Sequence, residues 1–451
     1  MGGIELNQVS VTFPAGGRPA LDNINLTIPR GQCVLLTGEC GCGKSTLLRL
    51  LNGIIPHVIP GAIAGEVRVN TTTPAQAKLH EMGRQVGTVY QNPRRQFFCA
   101  DPLAELAFGS ENAGQPPGEI LARASKIAAE LGIDHLLTRN MFTLSGGELQ
   151  RIAIGAALMD QPTFLLLDEP ASNLDLLSID ALAQILQSLR GTGITIIIAE
   201  HRLWFLREVV DRVVRLQQGR IIEDVPARQF WQRDNFQRIQ QGLRALTTPQ
   251  TACLTAPPAG RDGIVYQHSS HGNLYFPRGC VTVLSGVNGA GKSTLAAKLV
   301  GLQKTREAIT LDGKPYPQRQ RLRYGFWVMQ DVHRQLFAAS VRQELQMGAY
   351  TICAKRKASV VEDMALNDLL DQHPMALSGG QQQRVAVALA LLAQREVVIF
   401  DEPTSGLDYA GMMLVALRLR QLARTGAAVI LVTHDEEFSG VCGDWRVELG
   451  G

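Results

Sequence analysis

No apolar run in this 451-residue chain approaches the roughly 18 residues a helix needs to span a bilayer. Its opening Met1-Gly2-Gly3-Ile4-Glu5-Leu6 has neither the basic nor the apolar region of a secretory signal, and Leu6 stands where an N-myristoylation start has Ser or Thr. The chain is therefore expected in the cytosol. It also lacks any long run of Lys or Arg: 44 basic residues against 41 acidic ones leave a formal net charge of +3, so composition makes no case for a nucleic-acid partner. Its eight cysteines include no Cys-x-x-Cys pair and no His at zinc-finger spacing, which leaves reduced, mostly packing cysteines as the expectation.

What the sequence does contain, it contains twice. Gly38-Glu39-Cys40-Gly41-Cys42-Gly43-Lys44-Ser45 and Gly286-Val287-Asn288-Gly289-Ala290-Gly291-Lys292-Ser293 are both phosphate-binding loops. Matched residues sit at stepwise offsets: 292 − 44 is 248, 330 − 91 is 239, and 378 − 145, 401 − 168 and 434 − 201 are each 233. The second copy has thus lost nine residues early and six in its middle, the mark of a duplicated domain. The expected division is a first domain over 1–226, an amphipathic helix and linker over 227–262, and a second domain over 263–451. Phe230, Trp231, Phe236, Ile239, Leu243 and Leu246 recur at helical spacing, and 247–263 then turns Pro-, Ala- and Thr-rich.

Each copy alternates strand and helix, the pattern of a largely parallel α/β sheet. Cys33 to Thr37 reads as a strand feeding the first loop, and Lys44 to Leu51 as the helix after it. Thr163–Leu167 and Ile194–Ala199, with Val397–Phe400 and Val429–Val432, are short, apolar, β-branched strands.

A nucleoside triphosphate needs backbone donors around its β-phosphate, a cation on its β and γ oxygens, and a hydroxyl on Mg²⁺. Gly38, Gly41 and Gly43, with Gly286, Gly289 and Gly291, permit the close backbone approach. Lys44 and Lys292 are the cations, Ser45 and Ser293 the metal-binding hydroxyls, and Thr46 and Thr294 follow them toward the nucleotide. Asp168-Glu169-Pro170 and Asp401-Glu402-Pro403 end apolar strands with paired carboxylates: Asp168 and Asp401 are expected on Mg²⁺, Glu169 and Glu402 as general bases. Cys40 and Cys42 lie inside a phosphate loop, where helix amides and a lysine would lower a thiol pKa and make the first site redox-sensitive.

Leu144-Ser145-Gly146-Gly147-Glu148 and Leu377-Ser378-Gly379-Gly380-Gln381 each place Ser three residues before Glu or Gln, a capping box that marks a helix start able to hold a γ-phosphate. A plain helix cap explains that pattern alone; two adjacent glycines about twenty residues before an Asp-Glu strand favour the nucleotide reading. These segments resemble the signature of ABC-transporter ATPases. The resemblance spans nearly the whole chain and implies further roles. Gln91 and Gln330 match the family's Q-loop glutamine, which contacts the metal. Asn173-Leu174-Asp175 and Gly406-Leu407-Asp408 match its D-loop, and His201 and His434 its γ-phosphate-sensing switch histidine. It also implies an antiparallel β subdomain and a helical signature subdomain in each copy, and two composite ATP sites. One would join Lys44, Gln91, Asp168, Glu169 and His201 to Ser378, Gly379 and Gly380; the other would join Lys292, Gln330, Asp401, Glu402 and His434 to Ser145, Gly146 and Gly147. Departures from the family are Glu39 and Cys40 in the first loop and Ala171 in place of a common threonine. Phe13 is the expected adenine-stacking aromatic of the first copy, with Tyr266 a weaker choice in the second.

A narrower resemblance lies in Val89-Tyr90-Gln91-Asn92-Pro93-Arg94-Arg95-Gln96-Phe97-Phe98 and Glu105-Leu106-Ala107-Phe108-Gly109-Ser110-Glu111-Asn112. These look like the ATPase of energy-coupling factor (ECF) transporters, which import vitamins and, in related systems, cobalt or nickel. The second copy's Gln330-Asp331-Val332-His333-Arg334-Gln335-Leu336-Phe337 and Glu344 are similar but lack the Asn-Pro. The implied partners are a transmembrane coupling subunit and a small substrate-binding membrane subunit, with the chain peripheral on the cytoplasmic face. Rival readings are a soluble tandem ABC ATPase acting in translation or DNA repair, whose relatives usually carry long charged linkers or clustered cysteines, and the ATPase of a conventional importer or exporter.

Overall fold

Phe164–Asp168 and Val397–Asp401 are buried at every position because both faces of each strand are covered. The computed structural model describes residues 2–14, 17–172, 174–250, 262–287, 289–347 and 353–450. The chain divides into two units, Met1–Thr248 and Pro249–Gly451.

In the first unit the strands are β1 Gly3–Thr12, β2 Leu21–Pro29, β3 Cys33–Gly38, β4 Ala62–Val69, β5 Val86–Val89, β6 Phe164–Asp168, β7 Thr195–Ala199, β8 Arg212–Gln217 and β9 Arg220–Pro226. One sheet runs β5-β6-β7-β3-β8-β9, parallel except for β9; a second, antiparallel sheet runs β2-β1-β4. Alternation sorts the parallel strands' side chains to two faces. Val34, Leu36, Leu166 and Ile197 join the core under the antiparallel sheet. Leu35, Leu165, Leu167 and Ile198 join the core shared with the helices Pro102–Asn112, Pro117–Leu131, Gly146–Leu158 and Leu176–Arg190.

The second unit repeats the plan. Its strands are β10 Gly263–His268, β11 Gly272–Pro277, β12 Val281–Gly286, β13 Ile309–Leu311, β14 Lys314–Pro315, β15 Gly325–Val328, β16 Val397–Asp401, β17 Ala428–Val432 and β18 Trp445–Leu449. The parallel sheet is β15-β16-β17-β12-β18 and the antiparallel one β11-β10-β13-β14. Val398, Phe400 and Leu431 face the helical core, while Ile399, Ile430 and Leu449 face the antiparallel sheet.

The single amphipathic helix expected between the copies is instead two short helices, Ala227–Phe230 and Asn235–Gln240. The break is local: Asp234 accepts from Gln237 N while the Gln237 side chain accepts from Asp234 N, so a new helix starts where the old one would have continued. Phe230, Trp231, Leu243 and Leu246 pack into the first unit's core, whereas Phe236 and Ile239 face solvent. The Pro-, Ala- and Thr-rich stretch over 251–261, with Cys253, lies outside the described residues, as do Asn173 and Asn288.

Candidate nucleotide sites

Each phosphate loop leaves the end of a central parallel strand, β3 or β12, and runs into a helix, Lys44–Leu51 or Lys292–Leu299. The first loop glycine is obligatory on steric grounds. A Cβ on Gly38 would lie 2.0 Å from the Leu216 carbonyl oxygen, and one on Gly286 2.5 Å from that of Leu449, at φ of +144° and +148°. Both lysines fold over their own loops. Lys44 Nζ donates to the carbonyls of Gly38 (3.1 Å) and Glu39 (3.0 Å), and Lys292 Nζ to those of Gly286 (2.7 Å) and Val287 (3.0 Å).

The hydroxyl and carboxylate expected on Mg²⁺ meet in both copies: Ser45 Oγ donates to Asp168 Oδ1 at 2.9 Å and Ser293 Oγ to Asp401 Oδ2 at 3.0 Å. Both aspartates are buried, and desolvation holds their carboxyls above the usual range, against the serine hydrogen bond and the nearby loop lysine. A desolvated carboxylate beside a hydroxyl and an ammonium suits a divalent ion carrying a triphosphate, because the cation supplies the charge that burial withholds.

Glu169 and Glu402 both hold φ of 48°, a left-handed conformation uncommon for glutamate. Their N–H groups donate to Ala199 O (2.8 Å) and Val432 O (2.9 Å), which fixes each carboxylate just beyond its strand. In the first copy Glu169 Oε2 accepts from Gln91 Nε2 at 2.7 Å, and Oε1 lies 3.6 Å from His201 Nε2. Three expected site residues therefore converge. Burial, then Lys44 and Arg244, pushes the His201 pKa well below its ordinary value, leaving the imidazole neutral at pH 7. In the second copy Glu402 Oε2 accepts from the Thr433 hydroxyl and Oε1 from His434 N, each at 2.9 Å. Gln330 follows β15 and His434 follows β17, the places Gln91 and His201 hold after β5 and β7.

Ser145 and Ser378 cap the helices Gly146–Leu158 and Gly379–Ala393 with the expected reciprocal box: Glu148 Oε2 accepts from Ser145 N at 2.7 Å, and Gln381 Oε1 from Ser378 N at 2.9 Å. Gly147 has a packing reason of its own, since a Cβ there would lie 2.3 Å from Ser178 Oγ.

Two expectations change, those for Cys42 and Tyr266. Cys42 is buried 3.7 Å from Lys44 Nζ, and burial raises its thiol pKa despite that cation, so it is not the activated thiol the loop position suggested. Cys40 is exposed, with Sγ 3.8 Å from His201 Nε2. Glu39, within the first phosphate loop, accepts from Gln217 Nε2 at 3.2 Å at the end of β8. Tyr266 is no base platform: it is fully buried in the core of the second unit, its hydroxyl on Glu307 and Lys298. Phe13 is half-buried just beyond β1, against the first unit's antiparallel-sheet core.

Two sets of residues have roles that sequence reasoning did not assign, although Glu105 and Glu344 were named within the narrower resemblance. Glu105 and Glu344 are buried carboxylates that fold the segment after each Q-loop, and their shared offset (344 − 105 is 239, as for the Q-loop glutamines) was the available signal. Glu200 and Arg202 flank His201 where the second copy has Thr433 and Asp435, a difference visible in the aligned copies.

Two phosphate loops, each with a hydroxyl–aspartate pair, a strand-end glutamate and a capped glycine helix, define a P-loop nucleoside triphosphatase duplicated in one chain. Residues 21–172 and 270–405 match the ABC transporter family model, and the chain belongs to that family as a tandem ABC ATPase. A Treponema denticola protein provisionally named an ABC transporter ATP-binding protein is 38% identical, over 99% of this chain and 96% of its own length. A Methanosarcina acetivorans protein with the same provisional name is 32% identical, over 97% and 82%. Among solved structures, an RNase-L inhibitor matches 97% of this chain and 87% of its own with a TM-score of 0.62. An archaeal ribosome recycling factor solved with a ribosomal stalk protein matches 98% and 87% with a TM-score of 0.61. Both are 20% identical, a likeness of fold.

Proposed function

We propose that this tandem ATPase energises an ECF-type membrane importer of a small nutrient, a vitamin or its precursor or a cobalt or nickel ion. In this reading it binds Mg²⁺-ATP at both phosphate loops and docks peripherally on a transmembrane coupling subunit that works with a small substrate-binding membrane protein. Glu169 and Glu402 serve as general bases, Asp168 and Asp401 with Ser45, Ser293, Gln91 and Gln330 hold the metal, and His201 and His434 sense the γ-phosphate.

The observation that carries the partner is an exposed phenylalanine presented the same way twice beside the Q-loop. Glu105 Oε2 accepts the N–H groups of Phe98 and Cys99, both at 2.8 Å, and Glu344 Oε2 those of Phe337 (2.8 Å) and Ala338 (2.7 Å). Gln96 and Gln335 accept from Tyr90 N (3.0 Å) and Met329 N (2.9 Å), closing the same loop. The rings so held are 77% and 76% exposed. A large apolar group kept in water by a rigid, buried support is the chemistry of a docking surface. Its place seven residues after each Q-loop glutamine (98 − 91, 337 − 330) links partner movement to the γ-phosphate contacts. No helix among the described residues is long and apolar enough to cross a membrane, so in this reading the membrane-spanning part belongs to partners.

The test is to purify the tagged chain from its native membranes in mild detergent and identify what accompanies it by mass spectrometry. A polytopic coupling protein with a small membrane binding protein is the expected result. Ribosomal or DNA-repair proteins, with the chain absent from membranes, would overturn the transport reading, and a substrate-translocating permease alone would replace the ECF type with a conventional transporter.

A further inference from the structure

The strand-end glutamates are alike in sequence and backbone, but the switch segment beside them is held by a different carboxylate in each copy. In the second copy Glu402 accepts both the Thr433 hydroxyl and the His434 N–H. In the first, the corresponding N–H of His201 is taken by a different carboxylate, Glu200, at 2.7 Å. Glu200 is 2% exposed and accepts two more backbone N–H groups, from Arg202 at 3.0 Å and Ala171 at 3.1 Å. Arg202, itself buried, returns Nη1 to the carbonyls of Leu174 (3.3 Å) and Ala171 (3.5 Å).

Three positions have been exchanged together. Ala171, Glu200 and Arg202 stand where the second copy has Thr404, Thr433 and Asp435, each 233 residues on (404 − 171, 433 − 200, 435 − 202). There the link between the switch segment and the chain after Asp-Glu-Pro is made by side chains: Thr404 Oγ1 donates to Asp435 Oδ2 at 2.9 Å, and Asp435 N to Thr433 Oγ1 at 3.1 Å. The first copy makes the same link through a buried carboxylate and guanidinium on backbone groups. Ala171, which alone looks like a lost hydroxyl, is one part of that exchange.

The consequence falls on the general base. With Glu200 satisfying the switch backbone, the Glu169 carboxylate is directed to the Gln91 amide and the His201 ring, the groups at the γ-phosphate end of the site. Glu402 itself accepts from Thr433 and His434 N on the switch segment, a demand that Glu200 takes over in the first copy. We propose that Glu200, with Arg202, is a positioning residue of the first ATP site, and that this exchange makes the first site the faster of the two. The proposal rests on the ATPase reading and names an inequality within it.

The experiment uses the full chain with one site reported at a time. Glu402→Gln leaves turnover at the first site and Glu169→Gln leaves it at the second. The first background is expected to hydrolyse ATP roughly tenfold faster than the second. Moving the second copy's set into the first site (Ala171→Thr, Glu200→Thr, Arg202→Asp) keeps the melting temperature and ATP KM but lowers kcat toward the second-site value. The reverse exchange (Thr404→Ala, Thr433→Glu, Asp435→Arg) in the Glu169→Gln background raises kcat, a gain that a merely structural role would not produce. Equal rates in the two backgrounds, or a reverse exchange that folds and binds ATP without any gain, would overturn the proposal. A wild-type chain that binds ATP and turns none over would overturn the ATPase reading itself.

Discussion

Glu169 and Glu402, the general bases of the proposed function, hold a backbone conformation that glutamate seldom adopts, kept by the hydrogen bonds of their N–H groups to Ala199 and Val432. Gln keeps the shape of both side chains and removes the base, so Glu169→Gln with Glu402→Gln is expected to lower ATP turnover at least a hundredfold while ATP binding, followed by a fluorescent analogue, persists. A second prediction at this scale concerns pH. Burial holds His201 neutral in the folded chain, its pKa well below the ordinary imidazole value of about 6.5. As pH falls below about 6.5 the unfolded chain takes up a proton the folded chain refuses, so stability drops over that window and rises again toward neutrality. His201→Gln should flatten the dependence of the melting temperature on pH between about 5.5 and 7; an unchanged slope would assign the acid sensitivity elsewhere.

The elements position these residues by capping and by buried support. Ser145 closes the signature helix with a reciprocal box, and Ser145→Ala should cost about 1 kcal/mol of stability, read from the chemical-denaturation midpoint of the first unit. A cap that serves only the helix would leave ATP turnover untouched, whereas the function proposed here has turnover fall as well. The segment after each Q-loop is built the other way, with the polar group inside and the apolar one outside. Phe98 stacks on Phe108 at 4.8 Å between ring centroids, and Glu105 beneath it is buried. Phe98→Asp with Phe337→Asp should release the membrane partner in co-purification while leaving ATP binding near the parent value. Retention of the partner would show that docking lies elsewhere. Glu105→Ala is expected to do more damage, because it removes the buried carboxylate that holds the N–H groups of Phe98 and Cys99.

At the scale of the whole molecule the duplication is what matters. Two complete sets of site residues predict two ATP molecules bound per chain by equilibrium dialysis, falling to one with Lys44→Ala, since Lys292 and its loop are untouched. Functional coupling between the copies, implied by the family resemblance, predicts more. Ser378→Arg in the second copy should suppress turnover measured in the Glu402→Gln background, where only the first copy's base remains. Undiminished turnover there would mean that each copy works alone. The two copies are not interchangeable, because Glu39 and Cys40 stand only in the first loop and the Glu200–Arg202 exchange only beside the first switch histidine.

The order of motifs, their offsets, and the strand or helix that carries each were legible in the chain, because phosphate loops, capping boxes and fully buried parallel strands impose local chemistry that few residues satisfy. The paired Ser–Asp contacts followed from the same local rules once the strands were placed. Tertiary structure alone decided which side chains turned inward. Periodicity suggested one long helix after Pro226, but the Asp234–Gln237 box interrupted it. The position of Tyr266 suggested a base platform, but its strand pairing put the ring into the core. Cys42 sat beside a lysine in sequence, yet desolvation outweighed that charge. Whether a strand-end glutamate faces its switch histidine's ring or that residue's backbone depends on partners some thirty positions away, Glu200 in one copy and Thr433 in the other. Such choices are settled by competition among buried hydrogen bonds, which spacing along the chain does not encode.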